Sequence, residues 1–283
     1  MQLVAFLLGK PLKDESVFPE VFRLLEEAGF GVAVHLVHTA DDPVPLWLMD
    51  AKLVVNRGLS MEALAAATSL EKAGVRCCNS LGPTMAVRDR GLVHRLLAEA
   101  GLPVPRTAHA LTWVEAVEAA AGGPAVVKAA DGSRGRGVGT LVIDASAPPA
   151  EAPFVGPYLV QERVPGDGRD RKLYVAGRGV GGLVKRWPRP ADGAGSGEPF
   201  TPTPALVEMS HRVGRTLDLE VYGVDFVEGP GGPMIVDVNP FPSFKGVPGA
   251  ARLIAEHLVS IAREAIWENS HQALIGSQHG CHP

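Results

Sequence analysis

The sequence contains few cysteines and no long apolar run, and both absences narrow the class of protein. Only 3 cysteines occur in 283 residues, two of them adjacent at Cys77 and Cys78. This number and spacing exclude a disulfide framework and a C-x-x-C zinc site. No apolar stretch approaches the roughly 20 residues that a membrane span needs, and residues 1–8 lack the basic flank of a signal peptide. We therefore expect a soluble, cytoplasmic protein with no membrane partner.

The sequence also lacks a basic excess and the short motifs of several known nucleotide and hydrolase sites. The formal net charge is −4, whereas a nucleic-acid-binding surface is normally strongly basic, so we expect no nucleic-acid partner. No G-K-[ST] sequence is present, which excludes a Walker-type phosphate loop, and no G-x-S-x-G sequence indicates a serine nucleophile. Any phosphate site must therefore be built from a local basic cluster.

Two patterns divide the chain. Strand patterns at 3–8, 32–37 and 53–56 alternate with helix patterns at 17–28 and 60–73, which predicts a small parallel sheet with helices on both faces. Further on we predict helices at 84–100, 112–121, 204–217 and 250–269, strands at 125–129, 138–143, 158–162, 171–177 and 180–186, and a hairpin at 222–228 and 233–239. Residues 190–203 read as a loop. The fold class is therefore α/β followed by α+β.

The hairpin carries two acids and an amide that are expected to converge. If its turn is centred on Gly231, Asp225 lies directly across from Asp237, about 5 Å away, and Asn239 shares their face. Carboxylate and amide oxygens suit magnesium, which completes its shell with water and phosphate oxygens. The opposite, core face would then carry Val224, Phe226, Val236 and Val238. The alternative is an ordinary hairpin whose acids face solvent.

A lysine at a strand end stands next to a glycine-rich loop. Lys128 ends the strand at 125–129, and residues 131–139 alternate glycine with other residues. An ammonium and several backbone N–H groups at such a loop can bind a polyphosphate. The loop leads into a strand and not into a helix, so it is not a dinucleotide fingerprint. A simple hairpin turn is the alternative.

Two further predicted strand segments could contact a purine and a phosphate group, respectively. The strand that includes Gln161 and Glu162 can offer backbone donors and acceptors to a purine, although a plain buried strand also fits. Lys172 and Arg186 lie on strands expected beside the carboxylate hairpin, where cations would bind γ-phosphate oxygens or an acyl phosphate. Solvated strand charges are the alternative.

Four elements follow one another in an order that resembles the ATP-grasp superfamily. They are Lys128 with its loop, the Gln161–Glu162 strand, the segment 170–186 and the Asp225/Asp237/Asn239 hairpin. Within it they are most similar to the RimK-like glutamate ligases, over roughly residues 84–250. The resemblance implies an ATP-grasp fold with an N-terminal small parallel α/β domain (1–83) and a central lid subdomain (84–165). A C-terminal antiparallel sheet with helices and the metal site (166–270) and a flexible tail (271–283) would follow.

The resemblance also implies roles for individual residues, with ATP and Mg²⁺ as cofactors. Lys172 and Arg186 would contact the transferred phosphoryl group, and Asp225, Asp237 and Asn239 would hold magnesium. The implied nucleotide-binding residues are Arg90, Lys128, Gly132, Ser133, Gly135, Gly137, Gln161, Glu162, Arg163, Val164 and Lys185. Arg90 stands where the family usually has lysine. Asp237 stands where RimK-like ligases usually have glutamate, and this shorter acid is closer to the inositol-phosphate kinases of the superfamily.

Three functions therefore stay open at this stage. In the first, ATP phosphorylates a small carboxylate and an amine, such as an amino acid or a peptide, attacks the acyl phosphate to give an amide. In the second, a kinase phosphorylates a hydroxyl of an inositol- or sugar-phosphate-like substrate, for which the available basic residues are Arg134, Arg136, Lys185, Arg189 and Lys245. The third is a non-catalytic nucleotide sensor. ATP-grasp ligases often form dimers, so a homodimer is an option that no residue pattern tests.

Overall fold

The computed structural model describes residues 2–39, 42–132, 139–144, 146–188 and 197–278, with side chains up to residue 267. The chain forms two compact units. One contains the residues up to 82, the turn at 176–179 and the chain from 243 onward, and the other contains residues 83–175 and 180–242. The division into three subdomains and a tail stays a prediction. Within the described residues, no helix is long and apolar enough to cross a membrane.

A four-stranded parallel sheet forms the centre of the first unit. Its strands are β1 (Gln2–Leu8), β2 (Phe30–Leu36), β3 (Leu53–Arg57) and β4 (Cys77–Cys78), in the order β2-β1-β3-β4. The helix α1 (Phe18–Glu27) joins β1 to β2, and α2 (Met61–Lys72) joins β3 to β4. The parallel sheet predicted from the alternating pattern is therefore confirmed. The sequence does not reveal β4, because two residues show no periodicity.

The single helix predicted at 84–100 is interrupted near its start, at residues 87–89. The chain forms two helices there, α3 (Leu81–Ala86) and α4 (Arg90–Glu99). Asp89 begins α4, because its carboxylate accepts a hydrogen bond of 2.9 Å from the Leu92 N–H at the open end of the helix. The apolar period of this segment continues across the break and hides it from a sequence pattern.

The interruption fastens the start of α4 to the beginning of the glycine-rich loop. The Arg90 N–H donates to the Ala130 carbonyl at 3.1 Å, and the Gly132 N–H donates to the Arg88 carbonyl at 2.7 Å. A continuous helix would use the amide of Arg90 and the carbonyl of Arg88 internally. The break therefore holds the Arg90 side chain close to the strand that carries Lys128.

Replacing Asp89 by alanine is expected to lower the free energy of unfolding by about 1 kcal/mol, because one backbone donor at the helix start loses its partner. Urea denaturation followed by circular dichroism measures this change. Ser60→Ala is the matched control, since the Ser60 hydroxyl accepts from the Ala63 N–H at 3.2 Å at the start of α2. A destabilised Ser60→Ala beside an unchanged Asp89→Ala would contradict the capping role of Asp89.

Two sheets organise the second unit. The first is antiparallel, has the order β5-β8-β6-β7, and packs against the helix α5 (Trp113–Ala119). Its strands are β5 (Thr107–Ala110), β6 (Ala125–Ala129), β7 (Thr140–Ile143) and β8 (Tyr158–Glu162). The second sheet has the order β11-β10-β9-β12-β13. Its strands are β9 (Arg169–Ala176), β10 (Gly179–Arg186), β11 (Glu198–Phe200), β12 (Val221–Gly229) and β13 (Gly232–Pro240).

One face of the five-stranded sheet is buried under helices. The helix α6 (Pro204–Leu217) packs against β12 and against α4, and the core between them includes Leu173, Val224 and Phe226, all fully buried. Strand alternation sends the neighbouring side chains of β9 and β12 to the opposite face. That opposite face carries the polar residues of the candidate site.

The last element in the described part of the chain is one long helix, α7 (Ala250–Gln278), which packs against α1 and β3. It continues past residue 269, where the sequence predicted its end. The strand β11 lies inside the segment predicted as a loop at 190–203, and β5 was also not predicted. Both are short strands without a clear alternation, which is why the sequence does not reveal them.

Candidate functional site

The hairpin of β12 and β13 places Asp225 directly opposite Asp237, as the sequence predicts. Near the turn, Gly229 pairs with Gly232 and the register continues to Phe226 opposite Ile235. Without a change of register, Asp225 would then face Val236. The register shifts at this point, so that one extra residue on β13 brings Asp237 opposite Asp225. A bulge of this kind commonly redirects a side chain next to a functional site.

The bulge also changes which side chains enter the core. Val224, Phe226 and Val238 are buried there as predicted, but the prediction for Val236 is wrong, since Ile235 takes that place in the core. The backbone of Val236 has a different use. Its carbonyl accepts a hydrogen bond of 2.6 Å from Nζ of Lys128.

The oxygen-bearing side chains of the hairpin, which could bind a metal ion, form a compact polar group on the face opposite the core. The side chains of Asp225 and Asp237 are 13% and 28% exposed, which leaves the Asp237 carboxylate within reach of a ligand from solvent. The Asn239 side chain donates to Oδ2 of Asp237 at 3.0 Å. Directly opposed carboxylates destabilise a sheet unless a cation lies between them. The donor set is composed of oxygen atoms and fits a small hard cation such as Mg²⁺.

Two cations lie on the Asp237 side of this group. Lys128 is almost fully buried at the end of β6, and burial lowers the pKa of its ammonium, although the charge of Asp237 opposes this shift. Arg90 lies beside it: Nη1 donates to the Ala129 carbonyl at 2.8 Å, and Nε is 3.9 Å from Oδ1 of Asp237. An ammonium and a guanidinium at this spacing can contact successive phosphates of a polyphosphate.

A third cation lies on the Asp225 side. Nζ of Lys172 forms an ion pair with Oδ2 of Asp225 and is 3.6 Å from Oδ2 of Asp170. Burial by itself lowers the pKa of Lys172, but the charges of Asp225 and Asp170 outweigh it and hold the pKa above its usual value. Burial raises the pKa of Asp170 to about 6, although the charge of Lys172 opposes this shift. Lys172 therefore stays protonated at neutral pH.

Lys185, and not Arg186, shares a face with Lys172. Val180 and Phe200 pack on the core, and Gly182 pairs with Phe200. Alternation along β10 then sends Arg186 to the core side of the sheet, where the side chain is exposed at the strand end, and sends Lys185 to the opposite side. The contact of Arg186 with a phosphoryl group therefore stays a prediction that this geometry does not favour.

In the strand expected to contact a purine, some of the backbone N–H groups already donate hydrogen bonds within the fold. The Glu162 N–H donates to the Arg106 carbonyl at 2.9 Å, and the Arg163 N–H donates to the Pro124 carbonyl at 3.0 Å. The buried Gln161 side chain donates to the Thr107 hydroxyl at 3.3 Å. A purine contact in this strand must therefore use carbonyl groups or the backbone of Val164, not the amides of Glu162 and Arg163.

A narrow cavity of about 30 Å³ opens between the two sheets of the second unit. Apolar walls from α4, β8 and β13 meet the polar side chains of Arg90, Lys128 and Asp237 at this cavity. This volume holds one or two waters. Gly132 lies beside this group, and Ser133, Gly135 and Gly137 lie outside the described residues.

Asp170, which lies beside Lys172, was not identified as a site residue from the sequence. The whole residue is 6% exposed, which places it among the most buried charged residues in the described part of the chain. Its position two residues before Lys172 places both side chains on one face of β9. That i, i+2 spacing of an acid and a lysine is a signal in the sequence, but a short charged segment of this kind is common on solvated strands.

Known proteins are similar to this chain in sequence and in fold. The probable alpha-L-glutamate ligase of Coxiella burnetii is 27% identical over 206 residues, which cover 68% of this chain and 68% of that protein. The RimK domain ATP-grasp protein of Sphaerobacter thermophilus has a TM-score of 0.70 at 22% identity, and the match covers 92% of this chain and 99% of that one. No protein-family model matches the chain.

A ligase outside the RimK group has a similar fold. The D-alanine–D-alanine ligase of Bacillus anthracis, solved in complex with ATP, has a TM-score of 0.67 at 12% identity, and the match covers 96% of this chain and 100% of that one. The resemblance indicated by the motifs is thereby confirmed. The chain has the ATP-grasp fold, and RimK-like ligases are among the proteins that it resembles.

Proposed function

We propose that this protein is an ATP- and Mg²⁺-dependent ligase that joins a carboxylate to an amine. The observation that carries the proposal is the opposition of Asp225 and Asp237 on one hairpin, with Lys128 and Lys172 in contact with that hairpin. The related proteins support it, since the Coxiella burnetii and Bacillus anthracis proteins are both named as ligases. Small carboxylates and amines, including amino acids or peptides, are the proposed substrates, and the cytoplasm is the proposed location.

The residues present fit a magnesium ion. Asp225, Asp237 and Asn239 offer oxygen ligands on one face, and the repulsion between two opposed carboxylates favours a cation between them. Magnesium bound there would neutralise charge on the β- and γ-phosphates of ATP. The chain supplies few ligands, which matches the preference of this ion for water and phosphate oxygens.

The basic residues of the chain divide the triphosphate between them. Lys128 and Arg90 would bind the α- and β-phosphates, and Lys172, which stays protonated, would bind the γ-phosphate. A substrate carboxylate oxygen attacks the γ-phosphorus, ADP leaves, and the product is an acyl phosphate. The amine nitrogen then attacks the acyl carbon, phosphate leaves, and the nitrogen loses its proton. No protein nucleophile takes part, so catalysis rests on orientation and charge neutralisation.

One of the cations available to the kinase alternative is already paired within the fold. A phosphorylated sugar substrate needs several cations that are free to bind its phosphates. Lys245 forms an ion pair of 2.8 Å with Glu15, and Arg134, Arg136 and Arg189 lie outside the described residues. A ligase needs only the basic side chains that would bind the phosphates of ATP, and the second unit contains these.

The stoichiometry of the products tests the proposal. A screen of carboxylates and amino acids is expected to give ADP and free phosphate in equal amounts, and only when a carboxylate and an amine are both present. A coupled assay measures ADP, and a dye assay measures phosphate in the same samples. Formation of ADP with a phosphorylated alcohol and no free phosphate would identify a kinase instead. ATP binding without any acceptor-dependent turnover would identify a nucleotide sensor.

A further inference from the structure

Lys172 lies between two carboxylates that differ in their surroundings. Its Nζ is ion-paired to Asp225 and is 3.6 Å from Asp170, and the side chains of Lys172, Asp225 and Asp170 are 17%, 13% and 9% exposed. Water screens charges poorly at such low exposure, so each contact has a large effect on where the ammonium rests. Asp225 belongs to the proposed metal ligands, whereas Asp170 has no role in the proposed reaction.

The ion pair conflicts with metal binding at Asp225. An oxygen that accepts a charged hydrogen bond from Lys172 is a weaker ligand for a divalent cation, and the two positive charges repel each other. The cation must therefore displace the ammonium from Asp225. A displaced ammonium in this buried place needs another anionic partner, and Asp170 is already within 3.6 Å on the same strand face.

We propose that Asp170 is a positioning residue that receives the ammonium of Lys172 when a divalent cation takes Asp225. The inference rests on the proposed function for the location of the metal site. Lys172 then has two positions. In the absence of metal it neutralises Asp225, and in the presence of metal it is held by Asp170 on the side where the phosphoryl group is transferred.

The charges of the group are consistent with this exchange. Arg90, Lys128 and Lys172 match Asp170, Asp225 and Asp237 in number. When a divalent cation enters, Asp225 turns from a partner of Lys172 into a metal ligand. Asp170 is the nearby carboxylate that then keeps Lys172 paired, and without it the ammonium would compete with the metal for Asp225.

Direct metal titration of four proteins tests the exchange. Binding of Mn²⁺, which takes the same oxygen ligands, is followed by the electron paramagnetic resonance signal of the free ion. The four proteins are the wild type, Lys172→Met, Asp170→Asn and the double variant. Lys172→Met should bind Mn²⁺ more tightly, because the competing ammonium is gone. Asp170→Asn should bind it about tenfold more weakly, because Lys172 then has only Asp225 as a partner.

The double variant separates this exchange from a general effect of charge. Asp170→Asn should cost affinity for Mn²⁺ only while Lys172 is present, so it should change little in the Lys172→Met background. An equal loss in both backgrounds would overturn the proposal, since Asp170 would then act directly on the metal. Turnover gives a second readout: Asp170→Asn should raise the metal concentration needed for half-maximal rate, and Lys172→Met should lower kcat at saturating metal.

The opposite face of the same strand provides matched controls. Arg171 and Asp167 form an ion pair of 2.7 Å that repeats the chemistry of Lys172 and Asp170 on the face away from Asp225 and Asp237. Asp167→Asn and Arg171→Met should leave the affinity for Mn²⁺ unchanged. Asp237→Asn tests the metal site itself: if it does not weaken Mn²⁺ binding, the proposed function fails along with the exchange. If it does, and the cycle shows no coupling, only the exchange fails.

Discussion

Replacing Asp237 by asparagine should lower kcat on the order of 10³-fold, with little change in the free energy of unfolding. Asparagine keeps the size of the side chain but removes one of the two charges proposed to hold magnesium at the transferred phosphate. Stability should be preserved, because the change also removes one of two opposed carboxylates on neighbouring strands. The steady-state rate at saturating ATP and magnesium, together with urea denaturation, measures both quantities.

Glu228→Gln is the control for this prediction. It removes a carboxylate from β12 of the same hairpin, at a position paired with Pro233 beside the turn, where Arg171 is 4.0 Å away. The rate should be unchanged there, since no cation of the candidate site contacts Glu228. Full magnesium-dependent activity in Asp237→Asn would remove the basis of the metal assignment. A large loss of stability in Asp237→Asn would give Asp237 a structural role instead.

The hairpin, and the face that Asp237 shares with Asn239, could be predicted because local rules determine them. Glycine and proline residues mark the turn, and the alternation of side chains then fixes which residues share a face. The parallel sheet of the first unit could be predicted for the same reason. In both places neighbouring residues decide the structure, so one sequence contains the information.

The bulge at Val236 could not be predicted, although it determines the pairing. A regular two-residue turn starting from Gly229 and Gly232 would place Val236 opposite Asp225. The extra residue is accommodated by contacts from another sheet, since Lys128 donates to the Val236 carbonyl. A contact between residues this far apart in sequence leaves no periodic signal. The pairing of the two acids is therefore right in the prediction, while the turn centred on Gly231 and the assignment of Val236 to the core are wrong.

The sequence also did not reveal which acidic side chains the basic residues of the site contact. Lys172 and Arg186 have the same charge and both stand on predicted strands, so nothing local distinguishes them. In the structure the face of the sheet separates them, because Lys172 lies with Asp225 and Arg186 lies on the core side. The break between α3 and α4 is similar, since it is stabilised by hydrogen bonds to residues 130–132.

Replacing Lys128 by methionine should lower the affinity for ATP on the order of 10²-fold. The ammonium lies at the end of β6, is hydrogen-bonded to the Val236 carbonyl, and is the most buried cation of the site. In that place its charge acts on phosphates with little screening by water. Methionine has a similar length and fills the same space without the charge. Isothermal titration of the protein with ATP and magnesium measures the loss.

Stability separates the role of Lys128 in binding from a role in folding. Burial lowers the pKa of this lysine, which means that the fold disfavours its charge, while the carboxylates around it favour the charge. The removal of a costly buried charge and the loss of one hydrogen bond have opposite signs, so the free energy of unfolding should change by less than about 1.5 kcal/mol. Unchanged affinity for ATP in a stable Lys128→Met protein would show that the phosphates bind elsewhere. A large loss of stability would instead make Lys128 a structural tie between β6 and β13, and the fall in affinity would then follow from the damaged hairpin.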